Sequence, residues 1–416
     1  MFRTFAIILV TTVLAGGAAG QPGDARRLTL SEPTPARRGL EFALVFRAVD
    51  QLEGNASSQW LQACVLHGVN ESRSEAVSGF LSATDDAFDQ NAAWASISGF
   101  VHDTYPLVLL AARRERCDWG TPIRASGIAT LLPELASLRD IGRMLALKAR
   151  IELVNRDFPA AAETLTIGLR LAHDLGDSST LIQGLVGVAV AGAMADQLER
   201  WVQTPAAPDL YWPLSQLPQP IVSLRRAYAF EASMLEWTFP GIRRLDEDTL
   251  SEREAAELAR EVFGSPGTEA IPPTLPAAAR ASLIGRGLTE GEVDAMPVAV
   301  AMLHWQVDNY RAKSDEVFKW SALPYAEVEG PMKLALERSA AASPAEGAQP
   351  MLAVLPAIEN SFVSCAMLDR RLAMLRTIEA LRRHAGATGA FPGSLAEIQA
   401  VPLPIDPVTG APFDYA

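Results

Sequence analysis

Residues 146–173 read ALKARIELVNRDFPAAAETLTIGLRLAH, two runs of helical periodicity separated by a short polar turn. Ala146 and Ala149 put small residues on the first run, Arg156-Asp157 makes the turn, and Phe158 opens the second run. Ala161, Leu165, Leu169 and Ala172 then recur every three or four places and form one packing face. Small residues on such a face let two antiparallel helices approach closely enough to stack on a third, and 179–203 supplies a third periodic run.

The pattern extends in both directions. Upstream, 40–68 and 75–116 read as helical, each open to interruption, with Gly120, Thr121 and Pro122 as punctuation. Segments 133–155, 159–175 and 179–203 complete the first half. Pro205, Pro208, Pro213, Pro218 and Pro220 then crowd one stretch and mark a linker at 205–220. Helices follow at 221–238, at 251–263 with the capping box Ser251…Glu254, and at 277–286, 297–322, 331–341 and 357–385. A loop at 264–276 and a polar break at 343–350 separate them. The tail carries Phe391-Pro392, a second capping box Ser394…Glu397, then Pro402, Pro404, Pro407 and a turn at Thr409-Gly410. It has room for a short hairpin, the only strand expected, with Phe391 and Phe413 buried. The expectation is an all-α protein: a leader at 1–20, a lead-in at 21–38, a helical-hairpin stack over 39–204, the linker, a second helical unit over 221–385 and a small proline-rich cap at 386–416.

Composition agrees. Of 416 residues, 68 are alanine, the best helix former, and 49% are hydrophobic against 20% charged, which is globular rather than disordered. The net charge of −13, from 36 basic and 49 acidic residues, argues against a nucleic-acid binder, which needs a basic face.

Three resemblances follow from these residues. The stretch 134–175 resembles a degenerate tetratricopeptide helical hairpin, on Ala146, Ala149, Phe158 and the Ala161–Ala172 face, although no 34-residue recurrence accompanies it. The last fifty residues, LAMLRTIEALRRHAGATGAFPGSLAEIQAVPLPIDPVTGAPFDYA, resemble the C-terminal part of type II secretion pseudopilins. The N-terminus lacks a prepilin processing site, so assembly into a pseudopilus is not implied. That tail, with Cys117-Asp118-Trp119-Gly120 after a long helix, is also similar to an uncharacterised group of exported helical bacterial proteins. The tetratricopeptide resemblance implies a groove between helical hairpins for a peptide or protein.

Met1-Phe2-Arg3, the apolar run Phe5–Leu14 and Ala18-Ala19-Gly20 have the form of an export signal. The run is too short to span a bilayer, and Thr180–Met194, the most apolar later stretch, is broken by Gln183 and glycines. The expected address is the periplasm, cell envelope or exterior, without a stable membrane span; an uncleaved N-terminal anchor is the alternative. In an oxidising compartment Cys64 and Cys117, each near a helix end, could bridge if those helices form a hairpin, or could pack as two buried thiols. Cys365 lies within an apolar helical stripe.

Standard catalytic signatures are absent, including nucleophile elbows, zinc-binding histidine pairs and phosphate loops. The five histidines stand apart, so no metal and no cofactor is expected. Two constellations remain. His304, Asp308, Arg311, Asp315 and Lys319 share a face of the 297–322 helix, either as a His304–Asp308 acid–base dyad or as a solvated face of alternating charges. Glu231 falls in the apolar stripe of Ile221, Leu224, Tyr228 and Leu235 if 221–238 is one helix. A carboxylate on such a stripe needs a partner, for which Arg139, Arg143 and Arg150 are candidates, or has a raised pKa. With a second carboxylate such as Glu236 or Asp308 it could cleave a glycosidic bond. The leading expectation is a non-enzymatic exported scaffold holding a peptide or protein in a helical groove. The alternative is an envelope hydrolase using Glu231 with a second acid, or His304–Asp308.

Overall fold

The computed structural model describes residues 28–30, 33–34, 39–68, 71–127, 130–247, 249–263, 272–340 and 355–415. The residues read as an export leader and the polar break at 343–350 lie outside these. The fold is all-α, with one very small sheet. By its contacts the chain divides into two compact units, the first comprising 1–120, 132–227 and 363–416, the second 121–131 and 228–362.

The first unit opens with strand β1 (Leu52–Asn55), helices α1 (Ser57–His67), α2 (Glu71–Ser82), α3 (Gln90–Gly99) and α4 (Tyr105–Ala112), and strand β2 (Arg114–Arg116). A π-helical turn, Phe100–Thr104, joins α3 to α4, so the periodic stretch 75–116 is three helices. The strands pair in parallel, Leu52 with Arg114 and Asn55 with Arg116. This pair is unexpected, because Leu-Glu-Gly-Asn and Arg-Glu-Arg carry neither alternation nor β-branched residues. It is fixed by side chains instead: Asn55 Nδ2 donates to Asp118 O at 2.8 Å and Asp118 N donates to Asn55 Oδ1 at 2.8 Å.

Helices α5 (Leu135–Val154), α6 (Phe158–Gly176) and α7 (Leu181–Gln203) follow, packed on one another through two short turns. The sequence explains each boundary. Asp157 caps α6 by accepting from Ala160 N with Pro159 beside it, and Thr180 caps α7 by accepting from Gln183 N. The approach of α6 to α7 depends on Gly187, where a Cβ would stand 2.7 Å from Ala172 O. These helices form much of the unit's core. No residue of α7 is exposed, and α6 exposes only Pro159 and Glu163, near its N-terminus. Helix α7 is long and apolar enough to cross a membrane, but 67% of its most apolar window is buried within the fold.

The proline-rich stretch 205–220 is packed rather than a free linker, and the units divide elsewhere. Between its prolines lie Ala207, Leu210, Tyr211, Leu214 and Leu217, all buried, and Tyr211 packs with Ala380, Leu381, Ile398 and Val401. Pro205 and Pro218 lie just beyond helix ends and Pro213 sits inside the short helix Tyr211–Ser215, and the apolar side chains between them have a core to join. The expected hairpin in the tail is a single antiparallel bridge, Ile405 with Pro412, closed by Gly410 N donating to Asp406 O at 2.8 Å. Asp406 is buried with Arg370 Nε at 2.9 Å, whereas Phe391, expected inside, is 46% exposed.

The second unit is built on α8 (Met234–Thr238), α9 (Gly241–Asp246), α10 (Glu252–Phe263) and α11 (Val298–Phe318). The capping box opening α10 forms, with Ser251 N donating to Glu254 Oε2 at 2.9 Å. Leu235, Ile242, Leu245, Leu258, Leu303, Val307 and Tyr310 share its core.

Candidate functional site

The charged face of α11 gathers the residues singled out above. Arg311 donates from Nε to Glu236 Oε1 at 3.1 Å, and from Nη1 and Nη2 to the two oxygens of Asp246 at 2.9 and 2.8 Å. Asp308 pairs with Arg286. Lys319 pairs with Glu316, at 2.7 Å. His304 is near enough to act on the charges of both Asp246 and Asp308. Tyr310, one residue from Arg311, turns into the core, and the charges of Glu236 and Glu231 both reach its hydroxyl.

The electrostatics follow from these contacts. The hydrogen bonds from Arg311 hold the Asp246 carboxyl below the usual carboxylate range. Burial raises that of Asp308 despite the opposing charges of Arg286, His304 and Arg311. Burial pushes the Tyr310 hydroxyl up to about 12.

Glu231 is not placed as the sequence suggested. The helix runs Arg225–Ala232 and turns at Ser233 before α8, so Ile221 and Leu224 precede it and Leu235 begins a new register. The stripe that would have carried Glu231 inward does not exist as one helix, and Glu231 is half-buried. Arg150, one of its candidate partners, is fully buried and donates to Ala83 O at 2.9 Å and Asp85 Oδ1 at 3.0 Å, with its guanidinium 4.0 Å over the Phe88 ring.

A carboxylate pair that hydrolyses a bond needs one group protonated, the other ionised, and both facing a cavity. Here Arg311 and Arg286 hold three of the carboxylates in ion pairs. An open depression of about 480 Å³ in this unit is lined by Glu252, Arg253, Ala256, Pro272, Pro273, Val298 and Ala299, with none of the candidate acids. No group of three metal-ligating side chains occurs among the described residues. Asp246 and Arg286 escaped the sequence reading because their partners lie 65 and 22 positions away, and no local spacing announces such pairs.

Cys64, Cys117 and Cys365 are all free thiols, so the bridge between Cys64 and Cys117 is not formed. Burial pushes the Cys64 thiol up to about 12 and raises that of Cys117 further, which disfavours the reactive thiolate. The Cys117–Gly120 motif has a structural role instead: Trp119 Nε1 donates to Asp174 O at 2.7 Å, docking the segment on α6.

Comparison of the chain with family models, characterised proteins and solved structures gave no match.

Proposed function

We propose that this protein is an exported, non-enzymatic helical scaffold that binds a peptide or protein partner. The observation that carries the reading is helix α1. One side of it is locked inward: Trp60 Nε1 donates to Asp174 Oδ2 at 2.9 Å, and His67 Nε2 meets Asp140 Oδ2 at 2.7 Å. Its other side presents Leu61, Leu66 and Val65 to solvent at 38%, 52% and 86% exposure. Apolar side chains grouped on a rigid helix suit a protein partner better than a small substrate. The closed α5–α7 core argues for an outer helix face rather than a tetratricopeptide groove. A second reading, an envelope hydrolase, draws support from the raised Asp308 carboxyl and from Glu231 and Glu236, whose charges both reach the Tyr310 hydroxyl.

Photo-crosslinking in the producing cell tests the scaffold. A photoreactive phenylalanine analogue at Val65 is expected to give a discrete heavier adduct, and the same residue at exposed Glu75 none. Absence of an adduct from position 65, or equal adducts from both, would count against the reading.

A further inference from the structure

Away from the α11 face, the second unit carries a cluster that none of these roles uses. Phe230 and Trp237 stack with ring centres 6.2 Å apart and planes 20° from parallel. Two guanidiniums lie over them: Arg124 Cζ is 5.2 Å from the Trp237 ring centre and 5.9 Å from that of Phe230, and Arg243 Cζ is 5.5 Å from Trp237. Arg124 is placed by a close approach of backbones. Its one-turn helix, Ile123–Ser126, ends at Gly127 with φ +51°, where a Cβ would stand 2.7 Å from Thr238 Cα.

Neighbouring arginines are spent on carboxylates: Arg244 on Glu254 at 2.9 Å, Arg280 on Asp294 at 2.5 Å, Arg286 on Asp308 and Arg311 on Asp246. Arg124 and Arg243 are exposed, and among the described residues their contacts are with rings rather than acids. Both guanidiniums lie over the Trp237 ring, and neither has an ion-pair partner among the described residues. The Trp237 indole N–H is shielded from water and has no acceptor among the described residues. A buried donor left unpaired costs about 1–3 kcal/mol, which a ligand oxygen would recover.

A guanidinium stacked on a ring keeps its N–H edge free, and that edge matches two oxygens of an anion. We propose that Arg124, Arg243 and Trp237 form a binding site for an oxyanion, a carboxylate or phosphoryl group borne by a ligand, with the two forks holding its oxygens and the indole N–H as a further donor. The ring contacts restrict both guanidiniums beforehand, so less side-chain freedom is lost on binding. This site goes beyond the scaffold reading, and its test does not depend on position 65.

Isothermal titration of the full chain at low ionic strength, with glutarate in one arm and inorganic phosphate in the other, tests it. Saturable binding at one site per chain is expected, and the tighter anion identifies the source. Arg124→Gln and Arg243→Gln should each weaken that binding by about tenfold or more. Trp237→Phe keeps the ring and removes the donor, and should weaken it less. The Arg124→Lys/Arg243→Lys double variant, which keeps charge but loses the forks, should bind weakly even if either glutamine variant fails to fold. No saturable binding of either anion to the parent chain, or undiminished binding to the lysine double variant, overturns the proposal.

Discussion

Replacing Arg382 by leucine is expected to destabilise the first unit by about 3–5 kcal/mol at neutral pH. Glu379 and Arg382 are both fully buried, one turn apart on the long helix Leu355–Thr388. Arg382 Nη1 donates to both Glu379 oxygens at 2.8 Å, and Nη2 donates to Ala207 O at 2.9 Å. Burial pushes the Glu379 carboxyl up to about 8 against the pull of Arg382, and the nearby Asp209 charge adds to the rise. Without the arginine, that carboxyl is buried without its cation beside Asp209, and Ala207 O loses its donor. The pH dependence follows in sign. A carboxyl whose folded pKa lies above its unfolded value binds more protons when folded, so its contribution falls as pH rises from the unfolded value towards 8. Leucine at 382 removes the cation that opposes this, so the gap between variant and parent should be wider at pH 8 than at pH 5. Urea unfolding at the two pH values measures it. A Glu379→Met/Arg382→Leu double variant should recover much of the loss, because apolar packing replaces a buried ion pair with little penalty.

Trp60→Ala should cost about 3–5 kcal/mol, through a cavity and a lost hydrogen bond together. Trp60 is fully buried on α1, and its Nε1 donates to Asp174 Oδ2 at 2.9 Å. Burial raises the Asp174 carboxyl, and Arg170, with Nε at 2.7 Å, and Trp60 act against that rise. Truncation therefore opens a hole beside a charged group and removes one of its donors. Trp60→Phe keeps most of the volume and isolates the hydrogen bond, so about 1–3 kcal/mol is expected from it. A denaturant series on the three proteins measures the difference. Helix α1 is also the helix that displays Leu61, Val65 and Leu66, so Trp60→Ala should weaken crosslinking from position 65, whereas a change at Glu75 should not.

The helical core was legible because its signals are local. Asp157 with Pro159, and Thr180, announce the starts of α6 and α7, and the Ala161–Ala172 face announces the packing. What escaped was set at a distance. The β1–β2 pair depends on Asn55 and Asp118, and the packing of 205–220 on an aromatic residue meeting Ile398 and Val401. Five prolines looked like a boundary because composition does not show whether the apolar residues between them have a core to join. Glu231 was misplaced by one turn at Ser233, which resets the helical register and with it every inference from spacing. The acids of α11 were visible as a face, but the arginine fork that holds Asp246 and Glu236 was not, since its partners lie on other elements. Arg124, Arg243 and Trp237 come from three elements, and none of them forms a motif by itself.

Arg311 and Arg286 hold the carboxylates around α11 in ion pairs, an arrangement that fits a structural role. A double-mutant cycle on Arg311 and Asp246 tests it most directly, with Arg311→Met, Asp246→Asn and the pair unfolded in denaturant. A partly exposed but bidentate pair should show a favourable coupling of about 1 kcal/mol, and both single variants should be less stable than the parent. Groups strained for catalysis behave in the opposite way, and their removal leaves stability unchanged or raises it. Zero coupling, with Asp246→Asn as stable as the parent or more so, would rule out a structural role for the pair.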